Sequence, residues 1–170
     1  MASRTKIIVI SGYFNPLHVG HLDYIEQAKE LGDKLLVIVN NDDQVKIKGS
    51  TPFMNESDRM RILKSIGCVD DVVLSSDTDA TVLKTLKSIH AMYDRLLRTH
   101  DGDSRNFQVV FANGGDRQEG NTPEEEFCRE VGIETVYGIG GGKRESSSNL
   151  IGNVAHVARD TFSLKDWDKL

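Results

Sequence analysis

Two histidines lie where a predicted strand gives way to a predicted helix near the start of the chain. His18 and His21 are separated by a valine and Gly20, and they follow the β-branched run 7–10, which is typical of a buried strand. From residue 22 onward, apolar residues recur at helical spacing. The first N–H groups of a helix are unpaired and its dipole favours negative charge, so such a unit binds anions. Imidazoles placed there could hold a phosphate and stabilise the charge that develops on it.

The same residues also allow a purely structural interpretation. Gly12 and Gly20 could be ordinary turn glycines, with His18 and His21 on a helix surface or satisfied within the core. The surrounding pattern favours chemistry. The segment resembles the HxGH signature of the nucleotidyltransferase superfamily that contains the cytidylyltransferases. Its lead-in, Gly-x-Phe-(Asp/Asn)-x-x, is matched by residues 12–17.

The resemblance implies a reaction and a set of residues. A phosphate or phosphonate oxygen of an acceptor attacks the α-phosphorus of a nucleoside triphosphate, and pyrophosphate leaves. His18 and His21 would stabilise the transition state as catalytic residues. The lead-in and the motif glycine would contact nucleotide or substrate, and these residues are Gly12, Tyr13, Phe14, Asn15 and Gly20. Asn15 replaces the aspartate that is usual in the family.

The resemblance continues after the second predicted strand. Lys48 matches the family's catalytic lysine, a mobile point charge that draws the two substrates' phosphates together. Asp42 matches the acidic residue after strand two, and Arg59 matches the helix arginine; both are predicted to bind nucleotide or substrate. The alternatives are a solvated charge for Lys48, a cap for Asp42 and structural pairing for Arg59. Lys46 is expected to face solvent.

The second half of the chain offers further candidates. Ser146, Ser147 and Ser148 open the last predicted helix, and three hydroxyls at a helix N-terminus suit the β- and γ-phosphates. Gly115 and Asp116 belong to a Gly-Gly-Asp that, in heptose- and glycerol-phosphate members, lies near the nucleotide. Arg144 could clamp a pair of phosphate oxygens. Its alternative is a solvated charge on a flexible loop.

Strands and helices alternate along the chain. This pattern predicts an α/β fold, a three-layer doubly wound (Rossmann-like) five-stranded parallel sheet with helices on both faces. We expect one nucleotidyltransferase domain over residues 1–160 and a C-terminal tail over 161–170. The second strand is expected to end in residues 40–43, and a polar segment is expected over 44–52. Asn55 is expected to cap a helix over 56–66, and Asp79 one that ends near Arg98.

Composition limits the classes of partner. A net charge of −5 over 170 residues argues against a broad nucleic-acid surface. Cys68 and Cys128 fit no metal spacing and are expected to be reduced, partly buried thiols. No segment reaches the length of a membrane span or resembles a signal peptide, so we expect a soluble cytoplasmic protein. No protein-built metal site is evident, and Mg²⁺ is expected to be held mainly by the triphosphate.

The sequence therefore predicts a Mg²⁺-dependent nucleotidyltransferase, with CTP favoured, that acts on a small phosphorylated or phosphonylated metabolite. Two alternatives stay open: an ATP-dependent adenylyltransferase of heptose-phosphate or pantetheine-phosphate type, and a non-catalytic nucleotide-binding module. Gly67 stands where glycerol- and choline-phosphate enzymes carry arginine, so those acceptors are expected to be poor. A homodimer is expected by analogy, with Phe53 and Met54 either in the contact or filling the core.

Overall fold

The computed structural model describes residues 4–98, 107–115, 117–141 and 146–161. Asp116 and Arg144, two of the predicted site residues, lie outside the described residues, as do positions 162–170 of the predicted tail.

Five parallel strands form one sheet. They are β1 (Thr5–Gly12), β2 (Lys34–Val39), β3 (Asp71–Leu74), β4 (Phe107–Gly114) and β5 (Glu134–Ile139). Their order across the sheet is β3-β2-β1-β4-β5, with β1 at the centre and every pairing parallel. The chain reverses its direction of travel across the sheet between β3 and β4. The predicted doubly wound parallel sheet is confirmed.

Helices cover both faces of this sheet. They are α1 (Val19–Glu30), α2 (Asp42–Ile47), α3 (Glu56–Lys64), α4 (Leu83–Arg98), α5 (Glu125–Val131) and α6 (Ser147–Thr161). Successive side chains of β1 point to opposite faces. Ile8 and Ile10 therefore pack in one core cluster with Ile25 of α1 and Leu63 of α3. Ile7 and Val9 pack in a second cluster, which contains Leu86, Ile89 and Cys128 from α4 and α5.

The sequence analysis did not predict a helix after β2, but α2 lies there and extends into the polar segment 44–52. Asn41 caps this helix: its Oδ1 accepts the Gln44 N–H at 2.9 Å, and the Gln44 side chain accepts the Asn41 N–H at 3.1 Å. This reciprocal capping arrangement satisfies two donors at the helix start. Gln44 and Val45 are buried, which fixes the helix against the body. Lys48 then follows directly at its C-terminal cap.

The predicted cap of α4 is also wrong. Asp77, and not Asp79, holds the start of α4: its carboxylate accepts the N–H groups of Lys84 at 2.7 Å and Thr85 at 3.0 Å. Asp79 instead accepts the Thr81 N–H at 2.8 Å within the preceding turn. The cap of α3 is confirmed, since Asn55 Oδ1 accepts the Asp58 N–H at 2.9 Å.

The two cysteines differ in burial. Cys68 is half-buried and Cys128 is buried, and both are free thiols. Burial raises the pKa of the Cys128 thiol to about 12. Within the described ranges, no helix has the length and apolar character needed to cross a bilayer.

Candidate active site

A cavity of about 710 Å³ opens at the carboxyl ends of the strands. Seven predicted residues of the segment 12–21, which spans the end of β1 and the start of α1 and which we call the histidine turn, line it: Gly12, Tyr13, Phe14, Asn15, His18, Gly20 and His21. Lys48, Gly115 and the three serines at 146–148 complete the predicted set that reaches it. These residues come from four separate segments of the chain. The sheet brings them together because the carboxyl ends of parallel strands share one edge.

The two histidines stack on each other. Their ring centroids lie 3.8 Å apart, with an angle of 26° between the ring planes. His18 is the N-terminal cap residue of α1, and its backbone N–H donates to His21 Nδ1 at 3.3 Å. Since Nδ1 of His21 accepts, the proton of the neutral ring sits on Nε2. Burial, His18 and Lys48 together lower the pKa of His21 to about 3, so this imidazole is a neutral donor at pH 7.

The Phe14 ring packs against His21 of this pair. The residue is buried, has a φ of 50°, and presents its ring to His21 at a centroid distance of 5.0 Å. A positive φ is unusual for a bulky residue and is tolerated where the surroundings enforce it. Gly12 leaves the space for the ring, because a Cβ there would lie 2.8 Å from Phe14 Cζ. Gly12 and Phe14 thus position His21.

Asn15 ties the histidine turn to the lysine loop, which we define as residues 48–54. Its Nδ2 donates to Thr51 O at 2.9 Å, and its Oδ1 accepts the N–H groups of Phe53 at 2.6 Å and Met54 at 3.4 Å. A carboxylate could accept these N–H groups but could not donate to a carbonyl. This explains how asparagine serves where aspartate is usual.

Lys48 lies beside Tyr13 at the cavity. Its Nζ is 4.3 Å from the centre of the Tyr13 ring, a cation–π contact. Burial raises the pKa of Tyr13, so the phenol keeps its proton. Lys46 points away from this group and pairs with the exposed Asp43 at 2.8 Å, which confirms that it faces solvent.

Arg59 and Asp42 do not line the cavity. Arg59 is 1% exposed. Its guanidinium donates to Met54 O at 3.1 Å, Tyr13 O at 2.6 Å, Asn40 O at 2.7 Å and Asp42 Oδ1 at 2.7 Å. These acceptors lie on three segments that surround the site. Arg59 and Asp42 are therefore not placed to contact a substrate in the cavity. Arg59 instead holds the loops of the site in place, which was the structural alternative for this residue.

The serine cluster stands at the start of α6. Ser146 Oγ accepts the Asn149 N–H at 3.1 Å, which caps the helix. Ser147 Oγ donates to Pro16 O at 3.0 Å and so joins α6 to the histidine turn. Together with Ser148, these residues place a helix N-terminus against the same cavity.

The sequence analysis missed Arg117 and Tyr24 as lining residues. Arg117 is the first cation after β4, and that position is the one signal that could have found it. Its Nη1 donates to Asn113 Oδ1 at 3.2 Å and lies 3.7 Å from Glu124 Oε2. Tyr24 donates its hydroxyl to Ala112 O at 2.7 Å, and burial raises its pKa.

Tyr24 also packs closely against two glycines, Gly114 and Gly140. A Cβ on Gly114 would lie 2.9 Å from the Tyr24 ring and 2.9 Å from Ile139 O. Gly140 has a φ of 91°, and a Cβ there would lie 3.1 Å from Tyr24 Cβ. The close approach of β4, β5 and α1 at the cavity floor therefore depends on glycine.

The described residues contain no group of three or more His, Cys, Asp or Glu side chains that could enclose a metal ion.

A family model described as cytidylyltransferase-like matches residues 9–128, which is more than half of the chain. The chain belongs to this family. The matched residues contain the histidine turn, the lysine loop and Arg117, and they end before the serine cluster.

Several members of known name are similar in sequence. The FAD synthase of Pyrococcus abyssi is 43% identical over 91 residues, 51% of this chain and 62% of that protein. The bifunctional protein HldE of Haemophilus influenzae (strain PittEE) is 38% identical over 123 residues, 68% of this chain and 24% of HldE. The chain thus spans less than two thirds of the length of these relatives.

Solved structures support the fold. A lipopolysaccharide core biosynthesis protein from Thermoplasma volcanium has a TM-score of 0.53 at 20% identity, covering 78% of this chain and 95% of that chain. A bifunctional NMN adenylyltransferase/ADP ribose pyrophosphatase from Francisella tularensis has a TM-score of 0.52 at 13% identity, covering 89% of this chain and 42% of that chain.

Proposed function

We propose that the protein transfers a nucleotidyl group from a nucleoside triphosphate to a small phosphorylated or phosphonylated acceptor. The observation that carries the proposal is the convergence of His18, His21, Lys48 and the N-terminus of α6 on one cavity. In the reaction, a bond forms between an acceptor oxygen and the α-phosphorus. The bond from that phosphorus to the bridging oxygen breaks, and pyrophosphate leaves with the electron pair.

Each group has a role that its geometry supports. The neutral His21 offers Nε2–H to an oxygen of the α-phosphate, and His18 stacks against it. The N-terminus of α6 and its serines suit the β- and γ-phosphates. Lys48 offsets repulsion between the two anionic substrates. Such a reaction depends on alignment and charge stabilisation more than on covalent participation.

ATP is the donor that the comparisons favour. The FAD synthase relatives, 43% identical to this chain over half its length, are named for a product that contains an AMP unit. CTP is the second candidate, supported by the description of the family model. Mg²⁺ would neutralise triphosphate charge while bound to its oxygens.

Pyrophosphate release with ATP and CTP tests the proposal. Each triphosphate, with Mg²⁺, is paired with a panel of acceptors that contains FMN, sugar phosphates, phosphonates, glycerol 3-phosphate and phosphocholine. We expect release with one triphosphate, and slow reaction with the last two acceptors. His21→Ala is the negative control. Triphosphate binding with no pyrophosphate release from any pair would favour the non-catalytic module instead.

A further inference from the structure

We infer that Arg117, anchored by the buried Glu124, binds the phosphate or phosphonate group of the acceptor. This inference rests on the proposed function and names a residue for the acceptor's anionic group. Arg117 lines the cavity with a side chain that is 35% exposed. It is thus accessible from the cavity while part of the guanidinium is held by the protein.

Glu124 is built into the protein as an anchor. The residue is fully buried, and its Oε1 accepts the Val82 N–H at 2.8 Å beside the start of α4. Its Oε2 has no hydrogen bond among the described residues and lies 3.7 Å from Arg117 Nη1. A buried carboxyl oxygen is costly without a nearby donor or cation. Arg117 supplies that cation.

Among the described residues, Arg117 donates a hydrogen bond through Nη1 to the buried Asn113. Asn113 comes from the end of β4 and Glu124 from just before α5, so the guanidinium is held from two elements. The N–H groups of Nε and Nη2 can then serve a ligand. Two N–H groups of a guanidinium match two oxygens of a phosphate.

Lys48, Arg117 and Tyr13 come from different segments and line the same cavity. Lys48 follows α2 and lies against the Tyr13 ring. Burial raises the pKa of Tyr13, while Arg117 lowers it and Glu124 raises it. The phenol keeps its proton and can donate to a ligand oxygen in the cavity. In a chain of net charge −5, Lys48 and Arg117 offer two cations to a phosphate group in this cavity, while the Glu124 carboxylate offsets part of the charge of Arg117.

The acceptor fits this group better than the triphosphate does. The start of α6 already supplies hydroxyls and N–H groups for the leaving pyrophosphate, and Ser147 fixes it at Pro16. Attacking and leaving oxygens lie roughly in line on opposite sides of the phosphorus. An incoming phosphate therefore needs its own cations, and Lys48, Tyr13 and Arg117 supply a donor set separate from α6.

Inorganic phosphate serves as the probe for the acceptor's anionic group. The protein is saturated with an α,β-methylene analogue of ATP or CTP, whichever binds, and phosphate is titrated by calorimetry. Arg117→Met should weaken phosphate affinity at least tenfold, as for a charge-assisted hydrogen bond, and leave affinity for the analogue within twofold. Arg61→Met, an exposed arginine on α3, is the matched control and should change neither.

Three results would overturn the inference: no phosphate binding to the wild-type complex, an unchanged phosphate affinity in Arg117→Met, or a loss of analogue affinity in its place. The titration needs no turnover. Failure of the proposed function, which is absence of pyrophosphate release in the wild-type protein, is therefore a separate result. Where release is measured, Arg117→Met should raise KM for the acceptor tenfold or more while KM for the triphosphate stays constant.

Glu124→Gln tests the anchor. The amide keeps an acceptor for the Val82 N–H and removes the carboxylate charge. It should weaken phosphate binding in the wild-type background and have no further effect in Arg117→Met. A role in stability alone would lower the melting temperature in both backgrounds without changing phosphate affinity, and equal losses of affinity in the two backgrounds would contradict a role exerted through Arg117.

Discussion

At the scale of single residues, the neutral state of His21 decides how the site can work. A pKa of about 3 leaves the ring uncharged at pH 7, so His21 stabilises developing charge by donating a hydrogen bond. His21→Ala and His18→Ala should each lower kcat by about 100-fold or more, since such donors act in the transition state. Triphosphate affinity should fall much less. Steady-state kinetics beside direct nucleotide binding measures both, and wild-type kcat in either variant would contradict the assignment.

The same histidine predicts part of the acid stability. The ordinary pKa of histidine is 6.5, and that of folded His21 is about 3. Between these pH values the histidine binds a proton in the unfolded chain but not in the folded chain. The free energy of unfolding therefore falls as pH falls from 6.5 towards 3. His21→Gln cannot titrate and should show a shallower fall. Urea unfolding at several pH values from 6.5 to 4 measures the two slopes, and equal slopes would refute the linkage.

The sequence predicted residues near the site better than it predicted their roles. His18, His21, Lys48 and the serines reach the cavity as the motif implied. Arg59 matched a family position just as well, yet burial makes it structural. Whether an arginine points into a cavity or into the protein depends on the carbonyls around it, and these come from segments distant in sequence. Arg117 was missed for the same reason, because its anchor, Glu124, is identified only by burial.

At the scale of elements, α3 holds the site through one side chain. Arg59→Met removes four hydrogen bonds and leaves one buried carbonyl, two partly buried carbonyls and Asp42 without their cation. We expect a loss of about 3 kcal/mol or more in the free energy of unfolding, as for a broken buried ion pair. Arg61→Met lies on the same helix and is exposed, so it should change stability by less than about 0.5 kcal/mol. Urea denaturation compares them; similar stabilities would contradict the structural role of Arg59.

The junction of β4, β5 and α1 gives a second test at this scale. Gly114→Ala would place a Cβ 2.9 Å from both Ile139 O and the Tyr24 ring, so backbone or ring must move. We expect a loss of about 1–3 kcal/mol from overpacking. Gly67→Ala is the control because no atom lies within 4 Å of the added carbon. The pair is compared by thermal unfolding, and equal melting temperatures would show that the junction can relax freely.

Element boundaries were less predictable than element types. Alternating apolar strands and amphipathic helices indicated the main elements of the sheet and its layers. The short helix α2 was missed because six residues carry too little periodicity, and its stability depends on buried Gln44 and Val45. Two aspartates precede α4, and either could have capped it. Asp77 does so because the end of β3 brings it, together with Ser75 and Thr85, into one buried hydrogen-bonded group.

At the scale of the whole molecule, the predicted homodimer stays a prediction with one new support. Phe53 is 63% exposed, so it does not fill the core as the alternative had it. If this ring lies in a contact between two copies, Phe53→Asp should shift the mass in solution from dimer to monomer. Light scattering at micromolar concentration measures the mass. Exposed Val154 on α6 provides the control as Val154→Asp, and a monomeric wild-type protein would rule the dimer out.

The central position of β1 has a consequence for the order in which the protein forms during synthesis. β1 is made before both of its neighbours. It can pair with β2 after about 25 further residues, but its other edge stays unpaired until β4 is made, with Thr5 opposite Phe107. Pairing β1 with β4 closes the much longer segment between them, and this is slow relative to the local pairing of β1 with β2. The nascent chain can therefore carry the histidine turn and lysine loop long before Arg117 and the serines exist. Until β4 is made, one edge of β1 has unpaired N–H and C=O groups that can pair with another chain. A chaperone that covers this edge would prevent such pairing.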